Sequence, residues 1–354
     1  MQQRGEPPPF VSARTMTPEE LADLLASSYS YDPEISRRPL LAVLDTCFVR
    51  TALHHQITSG TAAASVSLAQ DGSVRLFMER ETLVETCRKL PKFAKDFGVT
   101  VGQLRRIINE WMPSINVVSL PPALREIDKR ALDVRERDQD DYAAAALASL
   151  LSPCILLTHN HKDFGALGVR TADQCKDTIM AVVALKLGEF EFSAMVMIPA
   201  APFRAAGMAF SWASAKIGRP ATVAVIAAVA VILAVIYFNQ PPERKDKIKG
   251  VAAEVGKSYL NQMMVVTASV QSAQAQIRAN VVLGPERRSP ISAVLRELAL
   301  ADDSLSAQQL ADLLDEPVRP PVARLRAFLH ANDQTVVAEV RRGGFVLGRH
   351  CRLQ

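Results

Sequence analysis

Short apolar runs alternate with longer segments of helical period through the first half of the chain. Leu40-Leu41-Ala42-Val43-Leu44 is unbroken by any polar residue, as expected of a parallel strand buried on both faces. A helix is predicted over 48–57. Ser65-Val66-Ser67-Leu68 and Val74-Arg75-Leu76-Phe77-Met78 flank Asp71-Gly72, which predicts a hairpin. Helices are predicted over 81–90, 100–111, 122–133 and 140–151, with strands over 117–120 and 155–158. This alternation predicts an α/β fold, a parallel sheet sandwiched by helices.

The pattern then changes. Residues 191–219 are apolar but broken by Pro199, Pro202 and Arg204. The run 221–238 carries no charge for about 18 residues, or roughly 27 Å as a helix, close to the ~30 Å of a hydrocarbon core. Lys216 and Arg219 precede it, and Arg244, Lys245, Lys247 and Lys249 follow. A transmembrane helix is expected there. Residues 243–280 predict a polar helix with Val251, Val255, Tyr259, Met263 and Val266 at helical spacing. Beyond a Pro-rich linker, three helices (291–301, 306–314, 321–331) precede two strands (336–340 and 345–347) around Arg341-Arg342-Gly343-Gly344. In the second helix Leu310, Leu313 and Leu314 are expected to face inward; in the third, Val322, Leu325, Phe328 and Leu329 form one stripe. The expected organisation is a leader with a short helix over 1–37, an α/β domain over 38–190, and a membrane-anchoring region over 191–242. A helical stalk over 243–288 and a small α+β domain over 289–354 complete it.

With 354 residues the chain exceeds one ordinary core. A net charge of +4 permits nucleic-acid binding without arguing for it. The five cysteines are odd in number and lack close metal-ligand spacing, so reduced thiols are expected. Residues 1–20 hold no apolar core of a signal peptide.

The candidate chemistry lies in four acids. Asp45 ends the first apolar run, Glu85 lies near an acid-rich helix start, Asp141 begins an Ala-rich helix, and Asp163 follows the run Ile155-Leu156-Leu157. Strand ends are where open α/β sheets gather catalytic groups. Clustered carboxylates repel unless a divalent cation neutralises them. Asp45, Glu85, Asp141 and Asp163 are therefore candidate ligands of a hard divalent cation, with Thr46 and Asn160 placed to orient them. Asp138 competes with Asp141 for the third place, and Glu79 and Glu81 compete with Glu85. His54, His55, His159 and His161 read as surface histidines, since no partner sits at zinc spacing.

Leu44-Asp45-Thr46, Leu83-Val84-Glu85-Thr86, Arg137-Asp138-Gln139-Asp140-Asp141-Tyr142 and Leu157-Thr158-His159-Asn160-His161-Lys162-Asp163-Phe164 together resemble the PIN domain. This is the fold of VapC-type toxin ribonucleases and related nucleases. The resemblance covers roughly 38–175. It implies a metal-dependent endoribonuclease with a four-carboxylate Mg²⁺ or Mn²⁺ site, acting on RNA, with homodimerisation open. The Asp71-Gly72 hairpin, the membrane run and the C-terminal module depart from a minimal toxin of a toxin–antitoxin pair.

Three helices and a hairpin resemble a winged helix. That resemblance implies contact with DNA or a protein partner through Arg324, Arg326, Arg341 and Arg342. The contrasting reading is a non-catalytic, membrane-associated regulator with a degenerate PIN fold. A membrane-associated chain with a cytoplasmic PIN-like domain is the expected location, with a cytoplasmic chain as the alternative. One crossing would separate the two modules, so either residues 192–215 form a second, broken membrane segment or the run 221–238 is buried in protein; basic flanks on both sides of the run fit a hairpin better than one crossing without deciding between the two.

Overall fold

The computed structural model describes residues 39–188, 191, 241–282, 289–333, 335–341 and 343–348. The predicted leader 1–37, the run 221–238 and Arg342 lie outside the described residues. Among those described, no helix is long and apolar enough to cross a membrane.

The first half is an α/β unit. Strands β1 (Leu40–Leu44), β2 (Val74–Glu79), β3 (Ile115–Val118) and β4 (Ile155–Leu157) form a four-stranded sheet in the order β3-β2-β1-β4. All three pairings are parallel. Every residue of β1 is buried, which accounts for its unbroken apolar sequence. Between the strands lie helices α1 (Thr46–Ser59), α2 (Ala64–Gln70), α3 (Arg80–Phe97) and α4 (Val101–Trp111). The connection from β3 to β4 holds α5 (Pro122–Arg125), α6 (Lys129–Arg137) and α7 (Tyr142–Leu151). Helix α7 is buried at every position; its alanines let it lie close against the sheet.

The predicted hairpin is not formed. Residues 65–68 belong to α2, and β2 runs parallel to β1 rather than antiparallel to a neighbour at 65–68. Ser65, Val66 and Leu68 are buried, so the apparent alternation is one face of a short helix. Asp71-Gly72 is a helix exit: Asp71 Oδ1 accepts from Ser73 N at 2.8 Å, and Gly72 takes φ 81°. The helix predicted over 122–133 is two helices, because the Asp128 carboxylate caps Arg130 N and starts a new one.

After β4, a helix α8 spans 174–188. Helix α9 (Pro242–Asn280) returns to the sheet, and Val282 pairs antiparallel with Cys154 just ahead of β4. Of the stalk's predicted apolar stripe, Met263 and Val266 are buried. Helices α10 (Pro290–Leu300), α11 (Ala307–Leu313) and α12 (Val322–Ala331) precede the antiparallel pair β5 (Val337–Arg341) and β6 (Gly344–Leu347). Leu310, Leu314, Leu325 and Leu329 face inward, whereas Leu313 is half exposed, one turn-step off the buried face.

The C-terminal elements and the α/β unit share one hydrophobic cluster, from Leu41 and Leu147 to Leu298, Leu310 and Leu347. Buried Arg296 on α10 donates to Leu151 O at 3.0 Å and Pro153 O at 2.8 Å, and Ser292 Oγ donates to Leu150 O at 2.6 Å. Arg75 donates to Ala299 O at 2.9 Å and also reaches Ala301 O and Asp302. Ser119, just past β3, donates through its N–H to Thr335 O at 3.2 Å.

Candidate metal centre

The chain builds β1, β2 and β3 outward in one direction and then crosses back to place β4 beside β1. The crevice past the carboxyl ends of β1 and β4 is therefore the topological switch point, the usual ligand site of open α/β sheets. The register sets Leu44 opposite Leu157, so Asp45 and Thr158 emerge side by side. Asp45 is almost wholly buried. Its Oδ1 accepts from Thr46 N at 2.6 Å, and its Oδ2 from Thr158 Oγ1 and Cys47 Sγ, each at 2.7 Å. Burial raises its pKa, the three hydrogen bonds oppose that, and the Glu85 charge adds to it. The Cys47 thiol is pushed up to about 12 by burial and the adjoining Asp45 charge, so it is a proton donor here, not a thiolate nucleophile.

Glu85 joins Asp45 through Thr46, whose Oγ1 donates to Glu85 Oε2 at 2.7 Å. Lys89, one turn on, pairs with Glu85 Oε1. The competing acids are used elsewhere. Glu79, fully buried, accepts from Leu120 N and Arg125 Nη2, both at 3.0 Å. Glu81 pairs with Arg125 Nη1 at 2.6 Å.

The other acids come from the α6–α7 turn and the loop after β4. Asp141 precedes α7 but makes no capping bond with its side chain, which leaves the carboxylate facing the crevice. Asn160 donates through Nδ2 to Asp141 Oδ2 at 2.7 Å and also to Asp163 Oδ2. Asn160 is itself held through its N–H by Thr158 Oγ1 at 2.9 Å. Asp138, Asp141 and Asp163 can each offer a carboxylate oxygen within 4.8 Å of the others. Asp140 turns away to Arg88 at 3.2 Å and Lys89 at 3.8 Å. The Asp141 pKa is raised to about 8, chiefly by burial, then by the charges of Asp45 and Asp138; the Asn160 hydrogen bond opposes this, and Asp163 adds a smaller increment.

Two lobes result: Asp45–Thr46–Glu85, and Asp138–Asp141–Asp163 bridged by Asn160. Asp45 raises the Asp141 pKa, so the lobes lie within electrostatic reach. Of the predicted ligands, Asp141 and Asp163 belong to the close triad, and Asp138 is a full member rather than an alternative to Asp141. Asp45 and Glu85 stand outside it. The triad suits a hard divalent cation, since it offers only oxygen donors and a half-buried excess of negative charge. Thr158 is the site residue missed in the sequence. It is fully buried and serves Asp45, Cys47 and Asn160 at once; its signal is its place directly after an apolar strand. His159 is half-buried rather than a surface residue. It stacks on Phe48 at 6.0 Å and meets Ala172 O through Nδ1 at 3.1 Å.

Arg324 and Arg326 are exposed on α12, and Arg341 ends β5. Comparison with family models, curated proteins and solved structures gives no match.

Proposed function

We propose that this chain is a metal-dependent endoribonuclease with a PIN-like catalytic unit. The observation that carries the reading is the convergence of Asp138, Asp141 and Asp163 at the switch point, with the buried Asp45–Glu85 lobe alongside. Asp138, Asp141 and Asp163 would hold Mg²⁺ or Mn²⁺. When bound, such an ion lowers the pKa of a water and neutralises charge on phosphate oxygens. The chain's own part is positioning. Asn160 orients two ligand carboxylates through one amide, and Thr158 locks both Asn160 and Asp45. Asp141 holds a proton at neutral pH until a cation displaces it. Three donors hold the buried Asp45 carboxyl in place beside the triad. Exposed Arg88 and half-exposed Lys89 border the acids, where a phosphodiester backbone meets cations. Hydrolysis then adds water across a P–O bond, one oxygen forming the new phosphate bond as the ribose oxygen leaves.

The C-terminal elements support a winged-helix-like reading, in which α12 presents Arg324 and Arg326 to nucleic acid. One observation favours the non-catalytic alternative: Lys89 already neutralises Glu85 within the protein. The test is cleavage of RNA by the full-length chain in Mg²⁺ or Mn²⁺, with Asp141→Asn and Asp163→Asn as controls. Cleavage that needs the cation and falls at least ~100-fold in either variant supports the enzyme. A wild-type chain that neither cleaves RNA nor binds either cation overturns the enzyme reading.

A further inference from the structure

Helix α3 carries Glu85 and Lys89 one turn apart, so both lie on the same face. The Lys89 ammonium contacts Glu85 Oε1 and stands 3.8 Å from Asp140 Oδ2. Asp140 in turn donates through its N–H to Asp138 Oδ1 at 2.8 Å. The ammonium therefore lies between the Asp45–Glu85 lobe and the turn that supplies two acids of the triad. Glu85 Oε2 accepts from Thr46 Oγ1 at 2.7 Å, so each oxygen of Glu85 has a donor within the protein. The same holds for Asp45: Thr46 N serves Oδ1, while Thr158 Oγ1 and Cys47 Sγ serve Oδ2. Both carboxyls are buried. The triad differs on each count. Its three carboxylates can bring one oxygen apiece within 4.8 Å of one another. The side-chain donor that Asp141 and Asp163 share is the neutral Asn160 amide. Asp138 and Asp163 are not buried, which suits an ion that keeps several waters in its shell.

Enzymes that hydrolyse phosphodiesters with two ions hold them about 3.5–4 Å apart, one on the attacking and one on the leaving oxygen. We propose that Lys89 is a built-in cation that takes the place of the second ion. The crevice then binds one divalent ion, at Asp138, Asp141 and Asp163, and the ammonium supplies the other positive charge from the Glu85 side. This assignment rests on the metal-site reading above, and it adds the number of ions and the residue that sets it. Three arguments support it. An ammonium is a compact point charge with three donors, so one nitrogen serves Glu85 and faces Asp140 at once. A divalent ion on Glu85 would meet that ammonium at contact distance, and like charges exclude one another from a buried carboxylate. The oxygens of the Asp45–Glu85 lobe are engaged by protein donors, whereas the triad gathers carboxylates around one point. Unlike a bound ion, the Lys89 charge does not dissociate when the cation concentration falls.

The full-length chain is titrated with Mn²⁺, and the free ion is counted by electron paramagnetic resonance, so no activity is read. The wild type should bind one Mn²⁺ per chain. Lys89→Met keeps an unbranched stem at a half-exposed helix position, where methionine is a good helix former. It leaves Glu85 Oε1 and Asp140 Oδ2 without the ammonium, and it should bind two ions. Lys89→Arg retains the charge and should bind one. Glu85→Gln added to Lys89→Met should return the count to one, which assigns the extra ion to Glu85. Two ions on the wild type or on Lys89→Arg, any count but two on Lys89→Met, or two ions that persist in the double variant overturns the role of Lys89 while the metal-site reading stands. A wild-type chain that binds no Mn²⁺ overturns both.

Discussion

Asp141 decides how the acidic crevice responds to pH. Its unfolded pKa lies near 3.8 and its folded value near 8, so between these values the folded state binds more protons than the unfolded one. Stability from this group is whole below about pH 4 and is lost as pH rises through about 8, because ionisation adds a buried charge among carboxylates. A bound divalent cation reverses the trend by neutralising that charge, and binding expels the proton. The expected outcome is Mg²⁺ or Mn²⁺ affinity that rises from pH 6 to pH 8, measured by titration calorimetry in buffers of different ionisation heat. In Asp141→Asn both the proton release and the steep pH dependence should disappear. Asn160 aligns Asp141 and Asp163 without carrying charge itself. Asn160→Ala should therefore weaken cation affinity by roughly 10–100-fold, as loss of a ligand-orienting partner does, while leaving the thermal midpoint of the cation-free protein nearly unchanged.

At the scale of elements, the seam between the sheet and the C-terminal hairpin rests on one glycine. Gly348 has φ 66°, and a Cβ there would lie 2.8 Å from Val117 O. The left-handed backbone and the contact with β3 both exclude a side chain. Gly348→Ala should cost about 1–3 kcal/mol, a cost typical of left-handed strain at a non-glycine residue, seen as a lower urea midpoint. Arg296 makes the matching seam at α7. Its guanidinium satisfies the carbonyls of Leu151 and Pro153 where that helix ends and the chain turns into β4. Arg296→Met removes charge-assisted bonds and strands two carbonyls, for an expected loss of about 2–4 kcal/mol, read by the same denaturant titration. The α2 segment shows why an element can be misread: seven residues are too few for period 2 and period 3.6 to separate.

For the molecule as a whole, the α/β unit and the C-terminal elements behave as one core. Leu147, Leu150 and Leu151 of α7 share a cluster with Val294, Leu295 and Leu298 of α10. The described body should therefore unfold in one cooperative transition by near-ultraviolet circular dichroism. A chain ending at residue 190 should lose that signal, since α7 would expose the face that α10 now covers. Most of the strand–helix alternation, the parallel sheet and the acids at its strand ends are legible along the chain, because a strand buried on both faces and an acid directly after it leave local marks. Tertiary structure alone decided that Glu79 serves Leu120 and Arg125 while Glu85 faces Thr46, that Asp138 joins Asp141 and Asp163, and that Thr158 ties the loops together. Each of these depends on a register or a crossover between residues far apart in the chain, and spacing along the chain carries no trace of such pairings. The same holds for the return of α9 to the sheet, which turned two apparent modules into one body.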